Sequence, residues 1–517
     1  MYNSDLGDLA NQIGMPADNL ANTQNAVAKA LTTGSGFVGI NLESPASLLM
    51  PFVTLLRNRL PVDRPPMGAK EATWRTQFGF GSYDFAAGMG TQEAATGSTA
   101  GGTATTYAAS YITQAVTQSV SLQAVKASEG YDDQLQIGVM QALATLLRQD
   151  ELNTLGGNRV ALAAPATVTC TPGGSGSLTP YASYKVTALT LQGCIANTAA
   201  NCTTTQTDST GAAISGSYIG ESTATAGACA TTGSKAYVNI VWTPVQGALG
   251  YKIYGGGSGS EKLMPLTAVY YTPTSGTSTA IYVPQTSTQS FVTVDSCQIQ
   301  TTTALTAAFP SADGTVNLLM QEGILSWAQK NTIYGQALPT GCNQQTYDCG
   351  GLALTVGSDG ITEFDAILRP LWQTWKTSPT FIIGSPASIS SVSGKLMSVG
   401  TANYRIDISA ERGRFVGGMF AGGYLNKYVA NVLTGMPDVI PLLAHPDMID
   451  GTFLFLSEKI PYQYAREARA WALDVQLPYT YFDLARSTVA FPFSVLCIET
   501  LKCYHPSAQG CIVGARV

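Results

Sequence analysis

EGYDDQLQIGVMQALATLLRQDELNTLGG, residues 129–157, is the run on which the fold class turns. Tyr131, Leu135, Val139, Leu143 and Leu147 recur at every fourth position, and Leu146 and Leu152 widen the stripe. That spacing predicts one long amphipathic helix over 129–155. Gly156-Gly157 supplies a stop, because glycine readily takes the left-handed conformation that ends helices. At ~1.5 Å per residue the helix is a rod of roughly 40 Å.

Upstream of this helix, WRTQFGF (74–80) and YAASYITQAVTQSVSL (107–122) read as extended arms, and residues 84–106 between them are almost all Gly, Ala, Thr and Ser. The pair predicts a long β-hairpin with no apolar stripe tying it to its own chain. The bland reading is a disordered loop; the functional one is an arm that packs on a neighbouring subunit, with Trp74, Tyr107 and Tyr111 as candidate contacts. LLRNRLPVDRPP (55–66) adds a small basic cluster, Arg57, Arg59 and Arg64. Such a cluster is usually a solvated face, but in an assembling protein Arg57 and Arg59 are candidates to meet a neighbour's carboxylates.

Downstream, composition shifts at about residue 160 and again at about 300. Only eight charged residues fall between these points, and Thr, Ser, Gly and Ala dominate. YKVTALTL (184–191), AYVNIVW (236–242), GYKIY (250–254), AIYV (280–283) and SFVTV (290–294) are short β-rich runs separated by turn clusters, which predicts an all-β sandwich. Beyond it, helices are expected over 313–334 and 361–376, the latter with Phe364, Leu368, Leu371 and Trp375 inward. TFIIG (380–384) is a strand, Ser385-Pro386 caps a further helix, and FSVLCIETLKCYH (493–505) closes the chain in strands. The fold class is α+β material surrounding an all-β insert.

The whole chain has 517 residues, a formal charge of −6 and only 12% charged residues, about half the usual ~25%. Burial of much of the surface in an assembly, or abundant Thr, Ser, Gly and Gln, must keep it soluble. The acidic balance argues against a protein that wraps nucleic acid by neutralising phosphates. The N-terminus begins without a basic or apolar leader and no run approaches ~18 apolar residues, so neither signal peptide nor membrane span is expected.

Recognisable chemistry is absent from the sequence. There is no Walker spacing, no H-E-x-x-H, no nucleophile elbow tied to a His and no paired-carboxylate signal. GGGSGS (255–260) reads as a hairpin loop, and Asn201-Cys202-Thr203 as a lone sequon. The two His, His445 and His505, each precede Pro; with Asp447 and Asp450 nearby, HPDMIDG reads as a polar turn rather than a metal site. No catalytic residue, cofactor or metal is expected. Ten Cys include no C-x-x-C pair, and five of them, at 170, 194, 202, 229 and 297, fall in the insert. Two readings stand for Cys342 and Cys349, which bracket a short loop: a local disulfide or two free thiols. Cys497 and Cys503 share strand parity and read as core thiols that cannot bond each other.

Three separated blocks carry a family resemblance. GFVGINLESPASLLMPFVTLLRNRLPVDRPP (36–66) resembles the N-terminal arm of tailed-bacteriophage major capsid proteins. RFVGGMFAGGYLNKYVANVLTGMPDVIPLLAHPDMIDGTFLFL (414–456) is similar to their central axial segment, and IETLKCYHPSAQGCIVGAR (498–516) to their closing strand. Order and spacing make the match, not any one block. The departure is the insert, where VNIVWTPVQGALGYKIYGG (238–256) resembles part of a fibronectin type III or immunoglobulin-like module, with Trp242 as its core Trp.

The resemblance implies a Hong Kong 97-like capsid fold: N-terminal arm 1–66, extended loop 67–124, spine helix of the peripheral domain 125–160, immunoglobulin-like insertion 161–300, second peripheral helix and loop 301–350, axial domain 351–460 and closing peripheral strands 461–517. It implies a non-enzymatic shell protein that assembles with itself as hexamers and pentamers in the host cytoplasm and resides in the virion. The shell encloses double-stranded DNA without reading sequence, alongside portal, scaffold and decoration proteins, and with no membrane. The insert is expected on the outer surface. A bacterial adhesin with an immunoglobulin-like module is the alternative, disfavoured by the missing export signal. An enzyme with a carbohydrate-binding β-module is disfavoured by the missing catalytic constellation.

Overall fold

A computed structural model of the chain describes residues 54–77 without 66 and 67, 104–128, 133–195, 206–207, 213–214, 220–264 without 232, 292, 296–299, 313–315, 320–338, 346–398 without 358 and 359, 423–425, 428, and 439–516 without 460–468, 487 and 488. Two compact units are distinguished, Met1–Pro51 with Val120–Ile137, and Phe52–Ser119 with Gly138–Val517. In the first, the short helix Leu122–Ala127 is capped by Ser121, whose hydroxyl accepts the Ala124 N–H. Asp133 does the same for the long helix, accepting from Leu135 and Gln136 at 3.0 and 3.2 Å.

The long helix runs Gln134–Gly156, and its inner line differs from the expected stripe. Gly138, Ala142, Leu146 and Asp150, again four apart, are buried, while Val139, Leu143 and Leu147 are half-buried and Met140 is 63% exposed. The inner line thus begins with small residues, with larger apolar side chains on its flank. The terminal glycines serve close approach rather than a left-handed turn, since neither has positive φ. A Cβ on Gly157 would sit 2.3 Å from the Gln321 carbonyl oxygen, and one on Gly156 2.3 Å from the Leu191 side chain.

The expected hairpin arms pair antiparallel over Glu71–Gln77 and Ala104–Ser110, with Trp74 opposite Tyr107. The second arm is not one strand, however. The chain breaks at Tyr111, and Ile112–Ser121 joins the edge of another sheet, ordered Val62–Asp63, Trp471–Asp483, Ala490–Cys503, Ile112–Ser121. The hairpin tip lies outside the described residues.

The insert contains two sheets. Ser296–Ile299, Lys235–Thr243 and Ala166–Leu178 form one; Lys262–Leu263, Gly250–Gly256, Ser183–Leu189 and Thr225–Ala228 form the other. Residues of both, among them Val186, Ile253, Val238 and Ile240, share one apolar cluster. Trp242 is 2% exposed within it, its ring 5.2 Å from that of Tyr251. The 280–283 run and most of 290–294 lie outside the described residues.

The helix expected over 313–334 is, where described, only Ile324–Gln329. Behind it Tyr334 (φ 49°) and Gly335 (φ 74°) turn the chain between Thr332–Ile333 and Gln336–Ala337, which pair antiparallel; two positive-φ residues match the twist of a tight hairpin. The next helix forms over Thr362–Gln373 with Phe364, Ile367, Leu368 and Leu371 buried, and Trp375 half-buried beyond its end. Ser385 caps Pro386–Ser398, its Oγ accepting the Ser388 N–H at 3.1 Å. A six-stranded sheet runs Thr346–Asp348, Gly510–Val513, Phe453–Leu456, Phe381–Gly384, Val439–Ala444, Gly423–Leu425. It draws strands from 301–350, 351–460 and 461–517, so the last two strands of the chain serve different sheets rather than one closing element.

Candidate functional site: a buried polar knot at the end of the long helix

Asp150 and Glu151 stand where the inner line of the long helix meets the segment after residue 53, and both are buried. Glu151 takes three consecutive backbone N–H groups. Its Oε1 accepts from Leu55 at 2.9 Å and Leu56 at 2.8 Å, and its Oε2 from Arg57 at 2.9 Å. Leu56 is at the head of a turn, its carbonyl receiving the Arg59 and Leu60 N–H groups, so the preceding N–H groups point one way like those at a helix start. The carboxylate caps that turn from another element. Hydrogen bonds to a charged group are each worth about 1.5–3 kcal/mol, enough to fix the arm here.

His445 reaches Glu151 from the opposite side, Nε2 to Oε1 at 3.1 Å. Its Nδ1 accepts the Asp447 N–H at 3.1 Å, so Nε2 carries the proton and donates to Glu151. Asp450 accepts from Ser385 Oγ, and Asp447 lies 3.7 Å from Arg148. The HPDMIDG turn is thus polar and inward, with its groups committed to other partners. Among the described residues no group of three or more His, Cys, Asp or Glu is placed to hold a metal ion.

Arg57 closes the knot. Its guanidinium donates to Asp150 Oδ2 at 2.8 Å and to Glu499 Oε2 at 3.3 Å, and lies 5.6 Å from the Tyr479 ring centroid. Asp150 also accepts from the Tyr479 hydroxyl, and from Gln114 Nε2 at 3.2 Å. Burial, and then the neighbouring Asp150, push the Glu499 carboxyl well above the usual range; Arg57 offsets part of this. Glu499 Oε1 meets no hydrogen-bond donor among the described residues. One guanidinium thus bridges two buried carboxyl groups, Asp150 and Glu499.

The other expected contact residues have separate fates. Arg59 pairs with Glu458 at 3.3 Å and lies over the Phe381 ring at 4.5 Å, its side chain still 48% exposed. Trp74 and Tyr107 are core residues of their own chain, 5% and 0% exposed, and not free for a neighbour. They pack with Trp327 and Tyr334, Trp327 also meets Trp471, and Trp74 Nε1 donates to the Cys503 carbonyl at 2.8 Å. Tyr111 is half-buried and donates to Asp474 at 3.0 Å. Cys349 is buried, and its pairing with Cys342 lies outside the described residues.

Asp150, Glu151, Tyr479 and Glu499 were not singled out by the sequence reading. The available signal was Asp150 in register with Gly138, Ala142 and Leu146, a carboxylate on the buried line of a helix.

No protein-family model and no curated relative matches the sequence. Among solved structures, the chain aligns with the capsid of a native GTA particle over 93% of its length and 97% of that chain, at 7% identity and TM-score 0.43. It aligns with the cyanophage A-1(L) capsid over 94% and 99%, at 11% identity and TM-score 0.40. With the capsid of Myoviridae phage XM1 the coverage is 93% and 99%, at 9% identity and TM-score 0.37.

Proposed function

We propose that this chain is the major capsid protein of a tailed double-stranded DNA bacteriophage, assembling with itself as hexamers and pentamers into the icosahedral head. One observation carries the reading. The three sequence blocks that resemble capsid proteins, far apart in the chain, supply Leu55 to Arg57, His445 and Glu499, and all three meet Asp150 and Glu151 of the long helix. A chance resemblance in three places has no reason to converge on one site.

Surface chemistry supports self-association. Tyr481, Phe482, Leu484 and Val489, 40% to 75% exposed, lie close in sequence at the end of Trp471–Asp483 and just before Ala490–Cys503, and Met140 adds to the half-buried flank of the long helix. Exposed apolar groups concentrated at adjoining strand ends fit burial against copies of the same chain. A low charge content suits a subunit whose flanks are covered by neighbours. DNA enclosed by a closed wall needs no neutralising surface, so a charge of −6 is acceptable.

The two-sheet insert is read as an immunoglobulin-like or fibronectin type III-like module on the outside of the shell. Portal, scaffold and decoration proteins are the further partners of such a subunit, assembly takes place in the host cytoplasm, and Arg59 with the hairpin tip are the remaining candidates for contact between subunits. Negative-stain electron microscopy of the purified full-length protein tests the core of this reading. Closed shells or capsomer rings are expected; a monomer at every concentration and salt would remove it.

A further inference from the structure

Each sheet of the insert ends in an edge strand, Ala166–Leu178 in one and Thr225–Ala228 in the other. The two edges approach closely because Thr225–Ala228 carries a glycine where they meet. A Cβ at Gly227 would stand 2.7 Å from the Val168 carbonyl oxygen and 3.0 Å from Cys170 Sγ. Cys170 Sγ lies 3.6 Å from the Gly227 carbonyl oxygen, and its thiol also hydrogen-bonds to that of Cys229, just past the end of the facing strand. Both thiols pack on the apolar cluster of the insert, and both are only half-buried, so a small reagent in solution has access to them.

The other described cysteines are placed elsewhere. Cys170 and Cys297 both lie opposite Ile240, on either side of it in one sheet, which sets their backbones two strand spacings, roughly 9–10 Å, apart. That exceeds the ~7 Å limit for a disulfide. Cys194 belongs to an apolar cluster of the body. The central strands Lys235–Thr243 and Ser183–Leu189 contain no cysteine, so a bond between the sheets can form only at their edge. Burial, and then the neighbouring Cys229, push the Cys170 thiol up to about 12. Burial raises Cys229 too, but the hydrogen bond from Cys170 works the other way and stabilises its thiolate. Cys229 is therefore the thiol that ionises first and attacks.

We propose that Cys170 and Cys229 are a redox-operated clip, open as two thiols in a reducing compartment and closed by a small-molecule disulfide into a bond that fastens the two sheets along their common edge. The Cys229 thiolate attacks one sulfur of the oxidant, breaking its S–S bond and releasing one thiolate. Cys170 then loses its proton, and its sulfur attacks Cys229 Sγ and expels the second thiolate. Two protein thiols are oxidised to one disulfide, the oxidant is reduced to two thiols, and the protons pass to the released thiolates. The loop so closed contains Ser183–Leu189, the strand paired with Thr225–Ala228. The step depends on the folded insert and not on shell assembly.

Full-length protein purified with reductant and then exposed to oxidised glutathione tests this, with alkylation and digestion under non-reducing conditions. Expected are a disulfide-linked peptide joining Cys170 to Cys229, a mass lower by the two thiol hydrogens, and a thermal midpoint raised by roughly 5 °C that falls back when dithiothreitol is added. Cys170→Ser is expected to hold glutathione on Cys229 as a mixed disulfide, and Cys229→Ser to leave Cys170 unmodified. Wild-type protein in which both cysteines are recovered only alkylated or glutathionylated overturns the clip. So does a peptide joining either of them to Cys202, which lies outside the described residues. Glutathione on Cys170 in Cys229→Ser as fast as on Cys229 in Cys170→Ser overturns the order of attack. The linked peptide with an unchanged midpoint overturns the fastening of the sheets.

Discussion

Arg57 Nε lies 2.8 Å from Asp150 Oδ2, across 93 positions of sequence, and the same guanidinium reaches Glu499 near the chain's end. The pair is shut away, with side-chain exposures of 14% and 0%. Removing one member of such a pair is costlier than never having made it, because the other charge stays buried. Arg57→Met is therefore expected to destabilise the protein by about 3–5 kcal/mol. Arg57→Lys is expected to recover only part, since a point charge cannot fork between two carboxyls. Urea denaturation of the unassembled protein reads both, and equal stability of wild type and Arg57→Met would remove the knot as an anchor.

Glu499 gives the knot a pH dependence of defined sign. Its folded-state affinity for a proton is raised, so the native state binds more protons than the unfolded chain above the ordinary carboxylate value of ~4.3. Stability attributable to Glu499 is thus full below that value and is lost as pH rises toward the folded-state value. Glu499→Gln keeps a donor for Asp150 and an acceptor for Arg57 and cannot ionise. Its unfolding free energy is expected to fall less between acid and neutral pH than that of wild type. Parallel pH profiles for the two proteins would show that Glu499 is not the proton-bearing group.

His505 works in the opposite direction. Burial lowers it to about 4, so the unfolded chain takes up a proton first as pH falls. Stability from this neutral imidazole is present above its ordinary ~6.5 and is lost as pH falls from there toward the folded value. A His505→Gln variant is expected to lose that acid-side slope while retaining the Glu499 one, which separates the two groups in denaturation profiles over the same range.

Much of the scaffold was legible because it rests on local periodicity. The long helix, the Phe364 to Leu371 helix, the Ser385 cap and the strands around Trp242 and Tyr251 all announce themselves within a dozen residues. The misread parts depend on distant partners. Trp74 and Tyr107 lacked an apolar stripe of their own because their cover is Trp327 and Tyr334, supplied from far downstream. The strand Ala166–Leu178 was missed because TPGGSGS reads as turn; Gly173 and Gly176 are required where Tyr237 and the Lys235–Ala236 backbone press close. Asp150, Glu151 and Glu499 were not singled out, since nothing near them in sequence says that Arg57 and three backbone N–H groups will come to meet them.

The hairpin base and its tip make separable predictions. Trp74 is packed in an aromatic cluster and hydrogen-bonded to Cys503, so Trp74→Ala is expected to cost about 3–5 kcal/mol as a folding defect. Replacing 86–103 with a short Gly-Ser turn leaves that base and the pairing of Glu71–Gln77 with Ala104–Ser110 untouched and should keep the wild-type unfolding midpoint. Its effect is expected on assembly, with shells absent or fragile to mild heat. A tip replacement that forms shells of wild-type heat stability would show that the tip takes no part in contacts between subunits.

The insert offers the last test. Its apolar cluster, with Trp242, Tyr184, Ile240 and Ile253 at the centre, is distinct from the two clusters of the body, and both its sheets contribute. A segment with its own two-sided core satisfies the requirement for independent folding. Residues 161–300 expressed alone are expected to show β-type circular dichroism and one cooperative thermal transition. Trp242→Ala in that fragment is expected to cost about 3–5 kcal/mol, the usual range for emptying a buried aromatic site. A random-coil spectrum for 161–300, with the full-length protein folded, would mean that the two sheets need the body to hold them together.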